Sequence, residues 1–273
     1  QVSIIRTRIM NIENLVNKTI DLTKDVGTFI QAQSGKVSGD TVEVKGLHDF
    51  VTYVDKEAEQ KLVEGLRGIL PGAGFITEED TDSTKGDQYT WIVDPLDGTT
   101  NFIHTIPCYA ISIALMDGDE VVLGIVYEVN MQECFYAWKG SKAYLNGNEI
   151  HVSDKQRLSD SLLITGFPNR DFARVDAYLK LFKYFMEETH GLRRFGSAAV
   201  DLAWVACGRG EAFYEYGLSP WDVAAGALIV QQAGGKVCDF NGGDNYLFGP
   251  DIAASNGHIH DELIAGIKKY MMQ

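Results

Sequence analysis

Ile12, Leu15, Val16, Val26, Phe29 and Ile30 recur at helical spacing and predict a long first helix over residues 10–33. The polar, glycine-containing stretch Ser34–Gly46 then reads as a loop or a hairpin. Its Lys36 and Lys45 are solvated charges on the simplest reading, and groups that could approach an anionic substrate on the other. His48–Asp55 leads into a second helix carrying Ala58, Leu62, Leu66 and Ile69, with Asp55 as its N-cap. Asp49 fits either an Asx-turn or a site carboxylate. Phe75-Ile76-Thr77 is a short strand that runs into three consecutive acids, Glu78-Glu79-Asp80. Trp91-Ile92-Val93 reads as a buried strand ended by Asp94, because Pro95 fixes its own φ and keeps Asp94 out of helical geometry. Asp97-Gly98 is a turn pair, and Thr99 or Thr100 is a candidate N-cap for the helix that follows.

Beyond that motif the period changes. Tyr109, Ile111, Ile113 and Leu115 alternate with small residues, Asp117-Gly118 and Asn146-Gly147 are turn pairs, and residues 105–152 predict an antiparallel meander through Val121–Val129 and Glu133–Trp138. From about residue 160 strands and helices alternate: strand Ser161–Gly166, helix 171–188, a short strand at Arg194-Phe195, helix Ser197–Cys207, strand Glu211–Tyr216 and helix Trp221–Ala233. Strands near 236–239 and 251–255 and a helix from about 260 to 271 close the chain. The pattern predicts an α/β fold of α+β type, with an N-terminal half at 1–152 and an α/β half at 153–273. No internal repeat is evident.

Composition narrows the function classes. The 273 residues are 45% apolar and 23% charged, as in an ordinary globular protein, but the formal charge is −14 with a pI near 4.8. Nucleic acid as main ligand is therefore unfavoured, since phosphate-backbone binding needs a basic face. A small anionic substrate is compatible with such a surface if cations bridge the like charges. The sequence has no apolar run of about 18 residues and no apolar h-region of a signal peptide near its start. Met10 is a candidate native start, and a cytoplasmic protein without a membrane partner is expected. Cys108, Cys134, Cys207 and Cys238 are widely spaced, which suits reduced core thiols rather than a zinc site or disulfides.

The chemistry concentrates at a few places. Asp94 and Asp97 put two carboxylates at a strand tip beside backbone N–H groups that open a helix. Carboxylates and carbonyls suit a hard divalent cation, and a helix start suits a phosphate, so the pair points to phosphoryl chemistry. Like charges crowded at Glu78-Glu79-Asp80 cost energy unless solvated or holding a cation. Glu215-Tyr-Gly-Leu-Ser-Pro-Trp221-Asp222 repeats the same logic, although an acid in a first helical turn also serves the helix dipole alone. Gly196-Ser197-Ala198 opens a further helix and a second cradle of N–H groups. A P-loop is absent, Gly234-Gly235-Lys236 being followed by Val237. His258 and His260 have no other ligand cluster near them in sequence. Asp94 and Asp97 stand three apart with proline between them, which disfavours the D-x-D nucleophile of aspartyl-phosphate enzymes.

Trp91-Ile-Val-Asp94-Pro-Leu-Asp97-Gly-Thr99-Thr-Asn-Phe102, with Glu78-Glu79 upstream and Trp221-Asp222-Val-Ala-Ala-Gly226 downstream, resembles the inositol monophosphatase family. Val51-Thr52-x-x-Asp55, Ala143-Tyr-Leu-Asn-Gly147 and Gly196-Ser197-Ala198-Ala199 extend the likeness over nearly the whole chain. The resemblance implies a layered αβαβα sandwich, with an antiparallel sheet in the first half and a smaller mixed sheet in the second. It also implies a lithium-sensitive, homodimeric phosphomonoesterase using two or three Mg²⁺ ions, with attack by metal-activated water on a small phosphorylated polyol, inositol 1-phosphate first. The implied metal ligands are Glu78, Asp94, the carbonyl of Leu96, Asp97 and Asp222. Glu78 and Thr99 would orient the water, with Asp49 bonded to Thr99. Gly98 and Thr99 N–H groups would hold the phosphate, with Asp97 and Asp222 beside it, and Glu215 and the Ala198 backbone would meet substrate hydroxyls. A buried acceptor such as Glu215 discriminates between substrates that satisfy it and those that do not. On this reading residues 1–152 carry most of the ligands and 153–273 close the site. The rivals are a 3′,5′-bisphosphonucleotide, fructose 1,6-bisphosphate or NADP(H) phosphatase, and a regulatory, transcription-associated binding protein. One departure is Ser141, where a second glycine is common among bacterial members.

Overall fold

The computed structural model of the chain describes residues 12–37, 42–46, 49–168 and 172–272, and for 42–46 and 49–51 the backbone alone. Helix α1 (Ile12–Gln33) buries Leu15, Val16, Val26 and Ile30 of the expected stripe, and Ile20 besides, with Ile12 and Phe29 half-buried at its edge. Strands β1 (Val42–Gly46) and β2 (Asp49–Thr52) pair antiparallel, so the end of the Ser34–Gly46 stretch belongs to a hairpin. Helix α2 (Tyr53–Ile69) follows, burying Val54, Ala58, Leu62 and Leu66. Asp55 is not its N-cap. Thr52 is, and Asp55 stands at the third helical position, closing a capping box by accepting from the Thr52 N–H and hydroxyl.

A seven-stranded sheet comes next, in the order β3 (Gly74–Thr77), β4 (Tyr89–Asp97), β5 (Ala110–Asp117), β6 (Glu120–Glu128), β7 (Glu133–Trp138), β8 (Ala143–Leu145), β9 (Asn148–Ile150). Neighbours are antiparallel, as expected for the meander over 105–152, except β3 and β4 at its edge, which run parallel. Ser141 sits in the β7–β8 turn, where its hydroxyl accepts from the Trp138 N–H at 2.9 Å.

The second half holds a mixed five-stranded sheet, ordered β11 (Gly191–Arg193), β10 (Leu162–Thr165), β12 (Ala212–Tyr216), β14 (Asp251–Ser255), β13 (Lys236–Cys238). The short strand expected at Arg194-Phe195 lies just before it, at 191–193, where parallel pairing with β10 ends at Arg193. This frees the following residues to turn into the cleft. The helices are α4 (Val175–Glu188), α5 (Ala198–Ala206), α6 (Pro220–Gln232) and α7 (His260–Met271). Residue 171, the expected start of α4, lies outside the described residues.

Period-2 alternation assembles the layers. Trp91, Val93, Ile111, Ile113 and Leu115 face α1 and α2, whereas Ile92, Ala110 and Ala114 face α5 and α6 on the other side of the large sheet. Ile164 and Phe213 of the small sheet pack on that same central helix layer, while Leu163 and Tyr214 face α4 and α7. The order is helix, sheet, helix, sheet, helix: the expected αβαβα sandwich. Helices α5 and α6 are apolar around nearly their whole circumference because they lie between two sheets. The four cysteines are unpaired. Among the described residues, no helix is long and apolar enough to cross a membrane.

Candidate active site

The site grows from the end of β4. That strand does not stop at Asp94; it continues to Asp97 with a register shift against β5 between the two acids, where Pro95 interrupts the ladder. The shift turns both carboxylates to one side. Asp94 Oδ1 accepts from the Leu96 N–H at 2.9 Å, which holds the bend. Gly98 follows with φ of 97°, and an added Cβ there would meet the carbonyl oxygens of Cys108 at 3.0 Å and Gly196 at 3.2 Å. Gly98, rather than either threonine, is the N-cap of the short helix α3 (Thr99–Ile103). Thr99 Oγ1 instead reaches Asp55 Oδ1 at 2.9 Å and the Leu96 carbonyl at 3.0 Å. The partner expected for Thr99 was Asp49, whose side chain lies outside the described residues; the carboxylate that meets Thr99 is Asp55.

Two helix starts from the second half meet this tip. Asp97 Oδ2 accepts from Ser197 Oγ at 2.6 Å and from the Ala199 N–H at 2.7 Å, so it caps α5 from across the cleft. Asn101 Nδ2 donates to the Phe195 carbonyl at 2.7 Å and the Cys108 carbonyl at 2.8 Å, a second tie between the halves. Asp222 is the third residue of α6 and closes a capping box with Ser219, accepting its N–H at 2.6 Å. Ser112 of β5 donates to the Trp221 carbonyl at 2.8 Å and so fixes the α6 start over the large sheet. Asp222 thus stabilises a helix start and faces the cleft at once.

Oxygens of Asp94, Asp97 and Asp222 lie within 4.8 Å of one another. Glu78, just after β3, hydrogen-bonds Asp94. Burial, then Asp222, raises Glu78 to about 8, while the bond to Asp94 opposes the rise. Asp94 is pushed well above the ordinary carboxylate range by burial first and then by Glu78 and Asp97. Asp97 rises to about 6 through burial, held down by Ser197, Ala199 and Arg194. Glu215 reaches about 8 by burial and the charge of Asp222, with Arg194 opposing. Withdrawn carboxylates this close ionise together only when protons or cations sit among them. Their all-oxygen donor set fits a hard divalent cation.

The cleft is lined by Glu78, Asp94, Leu96, Asp97, Gly98, Thr99, Ala198, Glu215 and Asp222, so every expected site residue whose side chain is described converges there. It also contains Arg194, whose guanidinium lies 5.5 Å from the Phe167 ring centroid and is the one cationic side chain in the lining among the described residues. Gly166 leaves room for Glu215, since a Cβ there would overlap its carboxylate. Lys36 is exposed and outside the lining, and the Lys45 side chain falls outside the described residues. Sequence reasoning did not single out Arg194, nor the roles of Ser197 as partner of Asp97 and of Asn101 as a tie to Phe195; the last two stand inside motifs already noted, but their partners are about 100 residues away.

Fold and site together define a layered αβαβα protein with an acidic cleft between its two sheets whose carboxylates could hold a metal ion. The model of the inositol monophosphatase family matches residues 11–272, and the chain belongs to that family of phosphatases. It is 40% identical over 262 residues to the Nus factor SuhB of Pseudomonas aeruginosa, covering 94% of this chain and 97% of that one. Over 257 residues it is 38% identical to the inositol-1-monophosphatase of Mesorhizobium japonicum, with 93% and 96% covered. Among solved structures, the Thermotoga maritima IMPase superposes with a TM-score of 0.87 at 35% identity, over 95% of this chain and 98% of that one.

Proposed function

We propose that the protein is a Mg²⁺-dependent phosphomonoesterase acting on a small phosphorylated polyol, with inositol 1-phosphate the leading substrate. The observation that carries this reading is the meeting of Asp94, Asp97 and Asp222 within 4.8 Å, from both halves of the chain. Glu78, Asp94, the Leu96 carbonyl, Asp97 and Asp222 would hold two or three Mg²⁺ ions. Bound Mg²⁺ supplies an acidified water and offsets charge on the phosphoryl oxygens. Glu78 accepts a proton from the water at its carboxylate. Thr99 gives its single hydroxyl proton to Asp55 or to the Leu96 carbonyl, so toward the cleft it offers an acceptor that orients the water. In the proposed complex, backbone N–H groups of Gly98 and Thr99 hold the phosphate, with Asp97 and Asp222 beside it. The Ala198 backbone and Glu215 meet the hydroxyls of the leaving polyol. Residues 1–152 and 153–273 act as two subdomains that close on the substrate, and a cytoplasmic homodimer inhibited by lithium completes the proposal.

The test is phosphate release from inositol, sugar and nucleotide monophosphates, a 3′,5′-bisphosphonucleotide, fructose 1,6-bisphosphate and NADP, with Mg²⁺ and with or without lithium. Highest turnover on inositol 1-phosphate, lost with lithium, is expected. A higher rate on another member of the panel reassigns the substrate, and no Mg²⁺-dependent release from any overturns the reading. The name of the Pseudomonas relative favours a second role, as a transcription-associated binding protein. Capture of RNA polymerase components by an Asp97→Asn variant would support it.

A further inference from the structure

We propose that Glu59 is a positioning residue for the metal-and-water site, holding Glu78 in place through the backbone that follows it; the inference rests on the phosphatase reading above. Glu59 lies on α2 at 0% exposure. A carboxylate withdrawn that far from water needs donors, and Glu59 has two. Its Oε2 accepts from the Glu79 N–H at 2.8 Å and its Oε1 from the Thr81 N–H at 2.9 Å. Both donors belong to the segment that leaves β3, where ladder pairing with β4 ends at Thr77. That segment passes through an exposed, positive-φ residue, Asp80 at φ 54°. The Glu78 N–H reaches the Val93 carbonyl only at 3.3 Å, a long bond. The peptide plane between Glu78 and Glu79 carries the Glu79 N–H, so holding that N–H sets the backbone rotation that aims the Glu78 side chain.

Asp55 stands four residues earlier on the same helix face, and it meets Thr99. One rigid helix therefore carries two carboxylates, one gripping Thr99 and the other the backbone behind Glu78. Those are the two groups proposed to orient the water. An apolar side chain of similar size at position 59 would fill the space and leave both N–H groups unpaired. One carboxylate that accepts from two amides, two residues apart, holds the segment at two points.

The variant Glu59→Gln keeps the shape but can accept with one oxygen only. Its control is Glu211→Gln, a buried acid at the far end of β12 from Glu215, whose Oε2 accepts the Leu162 N–H at 2.6 Å. The readouts are Mg²⁺ binding by calorimetry without substrate, the Mg²⁺ concentration that half-saturates kcat, and KM for inositol 1-phosphate. Glu59→Gln is expected to weaken Mg²⁺ binding or lower kcat by roughly 10- to 100-fold with KM little changed, the range typical of residues that orient metal ligands. Glu211→Gln is expected to lose stability alone. Wild-type Mg²⁺ binding and kcat in Glu59→Gln, or the same profile in both variants, overturns the inference. Should Glu59→Gln fail to fold, Glu59→Asp keeps the charge, shortens the reach and is expected to show the same loss. A wild-type protein that releases no phosphate fails the phosphatase reading instead, while calorimetry still tests Glu59.

Discussion

Asp97 serves two ends of the molecule. Its Oδ2 accepts from Ser197 and Ala199, while its carboxylate also joins the cluster with Asp94 and Asp222. Asparagine at position 97 keeps an acceptor for the α5 start but removes a charge from the cluster. Asp97→Asn should therefore fold with a near-native melting temperature and lose roughly 100-fold or more in kcat, the scale seen for preorganised electrostatic groups. Phosphate release at wild-type rates would contradict the metal-ligand role. Gly98 is constrained twice, by φ of 97° and by two carbonyl oxygens that face its missing Cβ. Gly98→Ala should cost about 2 kcal/mol or more in urea unfolding, since the left-handed region alone costs a non-glycine residue ~1–2 kcal/mol.

Helix starts are what the elements contribute. The starts of α2, α5 and α6 each bring a polar residue whose capping role and site role coincide: Asp55, Ser197 and Asp222. Ser197 accepts from the Val200 N–H and donates to Asp97, so its hydroxyl ties the α5 start to the β4 tip. Ser197→Ala should lower stability by about 1 kcal/mol through the lost cap, and should also reduce kcat because Asp97 loses one of its two anchors. A stability loss with unchanged kcat would separate cap from site. On β10 and β12 the fit is steric. Gly166→Ala places a Cβ inside the space of the Glu215 carboxylate and is expected to displace it. The variant should lose preference among phosphorylated polyols more than it loses turnover on p-nitrophenyl phosphate, a substrate with no hydroxyls to recognise.

At the scale of the whole molecule the site stores repulsion. The chain carries a formal charge of −14, and the cleft concentrates part of it. Burial and then the charge of Asp222 raise Glu78 from 4.5 to about 8, and burial raises Asp97 from 3.8 to about 6 against the pull of Ser197, Ala199 and Arg194. Between the ordinary and raised values the native cleft holds protons that the unfolded chain has already released. Stability of the cation-free protein therefore falls as pH rises from about 4 to about 8. Cation binding replaces those protons, so Mg²⁺ should bind more tightly toward pH 8. Melting temperatures in chelator and in Mg²⁺ should diverge with rising pH, and a constant gap would count against cation binding at these acids.

Much of this was legible along the chain because its causes are local. Alternation at Ile111, Ile113 and Leu115, helical spacing at Leu15 and Val16, and the proline between Asp94 and Asp97 depend on a few neighbouring residues, and the structure keeps them. The family motif likewise named Glu78, Asp94, Asp97, Glu215 and Asp222, and all five line one cleft. Tertiary structure alone decided the pairings. That Thr99 meets Asp55, that Ser197 holds Asp97 as well as capping its own helix, and where Arg194 lies depend on how the elements stack around the cleft. That stacking brings together residues about 100 positions apart, such as Asp97 and Ser197. The acids and their spacing are sequence properties. The distance between them, and so the charge the cleft must neutralise, follows from packing, because burial and proximity exist only once the layers close.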